Sequence, residues 1–163
     1  MRQTDTSSEE VLLLGGNATP FSRFAYHGLH GEDEAAKTEL ADDVMWTLMP
    51  SGQVLRGKEQ AYQFLGAAFR AVADRKPDLI NNVAIKDWGV FEYWNIGTVD
   101  EELIEFARAT WGTLPGDPGS IVGQTFRVPV CFVYHIDSQG KIDLVREYLD
   151  IASFVTHVSP GTT

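Results

Sequence analysis

Four side chains with the chemistry of proton transfer stand together near the end of the chain, in the segment VREYLD: Arg146, Glu147, Tyr148 and Asp150, set among Val145, Leu149 and Ile151. A carboxyl group in a pocket of low dielectric holds its proton more tightly and can exchange it with carbon next to a carbonyl. A neighbouring guanidinium or phenol can then steady the enolate oxygen. Strand alternation places Arg146, Tyr148 and Asp150 on one face and Val145, Glu147 and Leu149 on the other. With the first set inside a pocket, Asp150 is the expected catalytic acid/base, Arg146 the oxyanion partner and Tyr148 its assistant. Glu147, on the opposite face, is the second candidate acid. Structural roles compete with these. Asp150 can cap a terminal helix over 151–158, or lie opposite Arg127 as a surface ion pair, and Glu147 can be a salt-bridged or solvated strand residue. The sequence does not decide which face is enclosed.

The elements that position these residues form a hairpin. Two apolar runs, Phe126 to Ile136 and Ile142 to Ile151, flank the turn Asp137-Ser138-Gln139-Gly140. The first run is apolar on both alternating faces, as in a strand covered on both sides. Cys131, the single cysteine, sits within it and reads as a buried, inert thiol. His135 stands near the turn, and His27 and His30 lie on the polar side of a helix. No histidines and carboxylates share metal-ligand spacing, so no metal is expected. The glycine-rich stretch 112–123 leads into a strand rather than a helix, which argues against a phosphate-binding loop and a nucleotide site.

Upstream, residues 1–19 are expected to be a flexible tail, within which Val11 to Leu14 can form a short docked strand. Thr19-Pro20 opens a first helix with Phe21, Phe24, Ala25, Gly28 and Leu29 at helical spacing, ending near Gly31. A short helix over 32–40 and a strand from Val44 to Leu48 follow. A third helix over 58–74 carries the stripe Ala61, Phe64, Leu65, Ala68, Phe69 and Val72. Strands are expected over 83–88 and 90–98, where β-branched and aromatic residues concentrate. Thr98-Val99-Asp100-Glu101 has the form of a capping box and opens an extra helix through Trp111, followed by a loop to Gly123. That helix and loop are longer than a hairpin needs, and can form a lid or an oligomer contact.

At 163 residues without repeats, the chain is expected to form a single domain with a real core. Its formal net charge of -10 and pI of about 4.7 repel phosphates, so no nucleic acid partner is expected. No run is long enough to span a membrane, and a soluble cytoplasmic protein is the expectation.

The order of helices and antiparallel strands gives an α+β fold with helices on one face of a curved sheet. Within it, ELADDVMWTLMPSGQVLRGKEQAYQFL resembles the first strand and following helix of the nuclear transport factor 2 (NTF2-like, cystatin-like) superfamily. GKIDLVREYLDIASF is similar to the last strand of its SnoaL-like branch. The resemblance covers residues 20–158, with 159–163 as a C-terminal tail. It implies a cone: a mostly antiparallel sheet wrapped around about three N-terminal helices, with a largely apolar pocket inside. Trp46, Tyr62, Phe69, Trp88, Tyr93 and Phe132 are the expected ligand-binding residues. The superfamily includes isomerases, cyclases and hydrolases as well as noncatalytic binding modules. The general-base aspartate of ketosteroid isomerases is replaced here by Leu48 and Met49, and their second acid by Cys131 or Phe132. Asp150 is the nearest match to the acid of SnoaL-type cyclases. The resemblance therefore implies an enzyme acting without cofactor on a hydrophobic carbonyl compound, or a noncatalytic ligand-binding module, and a homodimer.

Overall fold

The computed structural model describes residues 18–150, apart from 73 and 113–116. The expected strand over 11–14, the helix over 151–158 and both tails lie outside the described residues. The chain runs α1 (Pro20–Leu29), α2 (Asp33–Thr38), β1 (Leu40–Leu48), β2 (Gln53–Arg56) and α3 (Lys58–Arg70). It continues through β3 (Lys76–Ile85), β4 (Trp88–Thr98), α4 (Glu101–Trp111), a 3-10 turn (Pro118–Ile121), β5 (Thr125–Ile136) and β6 (Ile142–Leu149). The six strands form one sheet in the order β2-β1-β6-β5-β4-β3, antiparallel except where β1 lies parallel to β6. This is the α+β architecture expected, with the extra helix present as α4.

Helix α1 begins as its sequence dictates. The Thr19 hydroxyl accepts from the Ser22 backbone N–H at 3.1 Å, and the Ser22 hydroxyl accepts from the Thr19 N–H at 2.9 Å. The Thr19 hydroxyl also donates to Asn82 Oδ1 on β3 at 3.0 Å, so the cap ties the helix to the sheet. Phe21, Phe24, Ala25 and Gly28 then fall on one face and are buried. Gly28 lets α1 approach α3 closely: a Cβ there would stand 2.3 Å from the Phe69 ring. Helix α4 is capped by Asp100, whose side chain accepts from the Leu103 N–H at 2.8 Å.

Two strands start earlier than their composition announces. β3 begins at Lys76, in a polar stretch containing Pro77; it is an edge strand, where a residue without an N–H is tolerated. β1 begins at Leu40 because Leu40 pairs with Ile142, and a register irregularity before Met45 absorbs the exposed Asp42-Asp43. A second irregularity lies between β5 and β6, where Ile136 faces Ile142 but His135 faces Leu144, leaving Asp143 as the extra residue. Among the described residues no helix is long and apolar enough to cross a membrane, and no group of three or more His, Cys, Asp or Glu could hold a metal ion.

On the concave face, Gly89 of β4 sits opposite Tyr134 of β5. A Cβ at Gly89 would come within 2.1 Å of the buried Tyr134 ring, which stacks on Phe21. Gly89→Ala is therefore expected to lower unfolding free energy by about 1–3 kcal/mol through overpacking, measured as a lower urea midpoint at unchanged m-value.

Candidate functional site

The concave face of the sheet carries Trp46 and Leu48 from β1, Phe91, Tyr93 and Asn95 from β4, Phe126 to Tyr134 at alternate positions of β5, and Val145, Glu147 and Leu149 from β6. Helices α1, α3 and α4 cover it without filling it. A cavity remains, in which the centre of a water-sized molecule can move through about 70 Å³. Its walls are mainly aromatic and aliphatic, including Phe24, Trp46, Phe69, Tyr93, Phe106 and Phe132. Three polar side chains of other kinds interrupt them: Arg75, Asn95 and Glu147. An apolar cavity with a few convergent polar groups is the usual form of a small-molecule site.

Glu147 is the acid of this cavity. It pairs across the sheet with Phe132 on one side and Leu48 on the other, both buried. Its Oε2 accepts from the indole N–H of Trp46 at 2.8 Å, and Trp46 is fully buried. The residue as a whole keeps some accessible surface, while its carboxyl is held in the interior by Trp46 and the residue lines the cavity. Burial pushes its pKa up to about 7, against the opposing effects of the Trp46 hydrogen bond and the Arg75 charge. Desolvation wins because the carboxylate receives only these two compensations. The Tyr93 phenol, fully enclosed nearby, is likewise raised by burial, with the Arg75 guanidinium acting in the opposite direction. A carboxyl poised near neutrality, a phenol and a guanidinium thus face one apolar space, a set able to take a proton from carbon and stabilise the oxygen that gains charge.

The expected triad lies on the other side. Arg146, Tyr148 and Asp150 are exposed, Tyr148 at 41%, and belong to the convex face, with Arg146 5.6 Å from the centre of the Trp88 ring. The parity of β6 places Glu147, the second candidate acid, inside in their stead. The register sets Val130 opposite Leu149, and Arg127 makes its ion pair with Asp78 at 3.4 Å. Asp150 therefore does not stand opposite Arg127. Of the expected ligand-binding residues, Trp46, Phe69, Tyr93 and Phe132 line the cavity. Trp88 does not: it is 44% exposed on the convex face beside His135. Tyr62 is buried in the core, its hydroxyl donating to Asp33 at 2.7 Å, and is not a cavity wall. His135 is partly exposed, with its Nδ1 2.6 Å from Asp143. Helix α4 contributes Leu103, Phe106 and Trp111 to the cavity wall.

Arg75 and Asn95 were not anticipated from sequence. Asn95 could have been, since it follows Phe91 and Tyr93 at alternate positions of an apolar strand. Arg75 precedes its strand in a charged stretch and carries no such signal.

A SnoaL-like domain family model matches residues 23–145, well over half of the chain. The chain belongs to the SnoaL-like family. No curated protein matches it. Among solved structures, a candidate SnoaL-like polyketide cyclase from Jannaschia sp. CCS1 aligns with a TM-score of 0.64 at 20% identity, covering 98% of this chain and 96% of the other. A hypothetical protein with a ketosteroid isomerase-like fold from Catenulispora acidiphila DSM 44928 aligns at 0.62 with 14% identity, covering 86% and 94%. An NTF2-like protein of unknown function from Cytophaga hutchinsonii aligns at 0.56 with 17% identity, covering 80% and 96%. At these identities the likeness is one of fold: this SnoaL-like chain is built on the NTF2-like cone.

The raised Glu147 pKa has a consequence for stability. Between the usual carboxyl value of 4.5 and about 7, the folded protein holds a proton that the unfolded chain has released, so stability falls as pH rises through this window. Glu147→Gln removes this dependence while keeping an oxygen for Trp46. Relative to the wild type, the variant is expected to gain up to about 3 kcal/mol on going from pH 4.5 to pH 8, measured by urea denaturation across that range.

Proposed function

We propose that this SnoaL-like protein is an enzyme that moves a proton at carbon next to the carbonyl of an apolar small molecule, with Glu147 as the general acid/base. The observation that carries the reading is the Glu147 carboxyl, buried in an aromatic cavity, fixed by the Trp46 indole and held at a pKa of about 7. A base poised at the working pH combines a substantial ionised fraction with a useful affinity for the proton. In the forward step the C–H bond breaks, the proton passes to Glu147, and the electron pair moves to the carbonyl oxygen as an enolate. The Tyr93 hydroxyl is the group available to stabilise that oxygen, with the Arg75 charge acting from farther away. Return of the proton to another carbon gives isomerisation; attack of the enolate on a second carbonyl of the same molecule gives cyclisation. Neither needs a cofactor. Trp46 acts as a positioning residue, holding the carboxyl in one orientation. Membership of the SnoaL-like family and the structural likeness to a candidate SnoaL-like polyketide cyclase are in keeping with a reaction of this class.

Incubation with small aryl alkyl ketones in deuterated buffer, followed by proton NMR, tests the assignment. Deuterium uptake at the α-carbon is expected to exceed the buffer rate, rise with pH through about 7, and fall by roughly 10²–10⁴-fold in Glu147→Gln. Equal exchange by the variant would remove Glu147 from the mechanism. Ligand binding without exchange in either protein would favour a noncatalytic binding module with the same cavity.

The convex face of the sheet supports a homodimer. Met45, Val54, Val83, Ile85, Trp88 and Tyr148 are large, exposed and on that one side, a concentration characteristic of an association surface. Sedimentation equilibrium of the full chain is expected to give twice the monomer mass, and Tyr148→Glu to shift it toward the monomer. A monomer at micromolar concentration in the wild type would refute this surface as a dimer contact.

A further inference from the structure

Among the described residues, two polar atoms of the cavity wall have no hydrogen-bond partner. Arg75 Nε and Asn95 Oδ1 are both buried without a hydrogen-bond partner, and both residues line the same space. Buried polar groups are nearly always paired, and one left unpaired is costly, so two orphans in one cavity mark a place for a polar group, whether an ordered water or the hydroxyl of a ligand that displaces it. They are also neighbours. Asn95 lies opposite Pro77 in the β3–β4 ladder, and Arg75 is two residues before Pro77. Pro77 has no N–H, and Val128, the other cross-strand neighbour of Asn95, has an apolar side chain. Arg75 is held in place by its terminal nitrogen, which donates to the Ala68 carbonyl at 2.5 Å, and by the Phe69 ring, 5.6 Å from the guanidinium carbon. The guanidinium also interacts with the Tyr93 hydroxyl, and its Nε–H has no partner in hydrogen-bond geometry among the described residues.

Asn95 stands apart from Glu147, and the long Arg75 side chain reaches between them, its charge still felt at Glu147. Glu147 is in register with Phe132 and Phe91, whereas Asn95 is four residues beyond Phe91 along β4. With a rise of about 3.3 Å per residue and about 4.8 Å between strands, the two backbones are roughly 13 Å apart along the strands and about 10 Å across them. The cavity therefore has a proton-transfer end and a second polar end, joined by aromatic walls from Tyr93, Phe132 and Phe69.

One donor and one acceptor on the same stretch of cavity wall define what fits. A carbonyl or ether oxygen would satisfy Arg75 and leave Asn95 unpaired; an ammonium would be repelled by the guanidinium. A hydroxyl does both, accepting from Arg75 Nε–H and donating to Asn95 Oδ1. We propose that the ligand is a hydroxylated ring compound, bound with its hydroxyl between Arg75 and Asn95 and its carbonyl directed toward Glu147. The carbonyl's direction rests on the proton-transfer reading of Glu147; the hydroxyl preference is a property of binding and stands without it.

The test uses the wild-type chain and three probes of nearly equal shape: 4-hydroxyacetophenone, acetophenone and 4-methoxyacetophenone, with affinities read by isothermal titration calorimetry. The hydroxylated ketone is expected to bind at least about tenfold more tightly than either relative, because only it pairs both buried atoms. Asn95→Leu and Arg75→Met are each expected to erase that preference while acetophenone itself still binds; Glu147→Gln is expected to keep the preference and lose only deuterium exchange. Equal affinities for the three probes in the wild type, failure of all three to bind, or an undiminished preference in both folded variants would overturn the proposal. Because the comparison among probes is complete in the wild type, it holds even where a variant fails to fold. Preference for the hydroxyl with no exchange at the α-carbon would retain this subsite and reject the catalytic role of Glu147.

Discussion

The structure depends on the insertion of one ring, Phe21, into the concave face of the sheet. Its centroid lies 4.8 Å from that of Phe132, 5.0 Å from Tyr134, 5.3 Å from Phe91, 5.6 Å from Phe24 and 5.8 Å from Trp46. Strands β1, β4 and β5 thus converge on a side chain of α1, and aromatic contacts of this kind add to the area they bury. The depth of Phe21 is fixed by the capping box immediately before it and by the bond from Thr19 to Asn82. A second apolar cluster, built on Val72, Val99, Leu103, Ile104, Phe126 and Val128, closes the other end of the cone. The cavity lies between these two cores and takes wall residues from both. It exists because helix α1 supplies a full aromatic plug at one end only.

Against that apolar background, Glu147 is an expense the fold carries in one place. The ion pairs among the described residues, such as Arg23–Glu39 and Lys58–Asp42, have at least one partner with substantial access to solvent. Exposed pairs of this kind contribute little to stability, and they cost little to form. Glu147 has no partner of that kind within salt-bridge distance among the described residues. It has a single neutral donor, the Trp46 indole, and a guanidinium acting from farther away. An apolar residue of similar size would avoid the desolvation cost there. A buried acid with incomplete compensation is the arrangement that shifts a carboxyl toward neutrality, and the same incompleteness leaves room for a ligand to supply the missing partners.

Most of the fold was legible in the sequence because it follows from periodicity. The α1 face, the α3 stripe, the β5 alternation and the capped α4 helix all have apolar spacing that admits one element type. The resemblance of two segments to the SnoaL-like family supplied the topology that periodicity alone does not. The polar site was read less well, for two physical reasons. Arg75 acts through reach: its long side chain enters the cavity from outside the strand, where no pattern marks it. Which face of β6 is enclosed could not be read from the sequence, because alternation counted from the turn does not survive to Glu147. Ile142 and Val145 are both fully buried although they lie three positions apart, an odd interval that strict alternation forbids.

That interval is produced by the bulge at Asp143, which makes the turn region decisive for the chemistry. Counted in steps of two from Ile142, the inward residues would be Leu144, Arg146, Tyr148 and Asp150. The extra residue reverses the parity, bringing Val145, Glu147 and Leu149 inside and leaving the charged set on the convex face. Several contacts hold the insertion where it is. Asp143 faces His135 at 2.6 Å across the hairpin, giving the extra residue a polar partner. The Asp137 carboxylate accepts from the Gln139 and Lys141 backbone N–H groups at 2.8 and 2.9 Å, and Gly140 takes the left-handed conformation at φ 78° that closes the turn. At the far end of the strand, the Glu147 carbonyl accepts from the Met49 N–H at 2.9 Å, anchoring β6 beside β1 just where the carboxyl enters the cavity. A one-residue slip would exchange a single buried acid for an arginine, a tyrosine and an aspartate, too much charge for an apolar cone to enclose. The burial energy of Val145 and Leu149 and the desolvation of Arg146 and Asp150 therefore favour the same register, and the position of Glu147 follows from it.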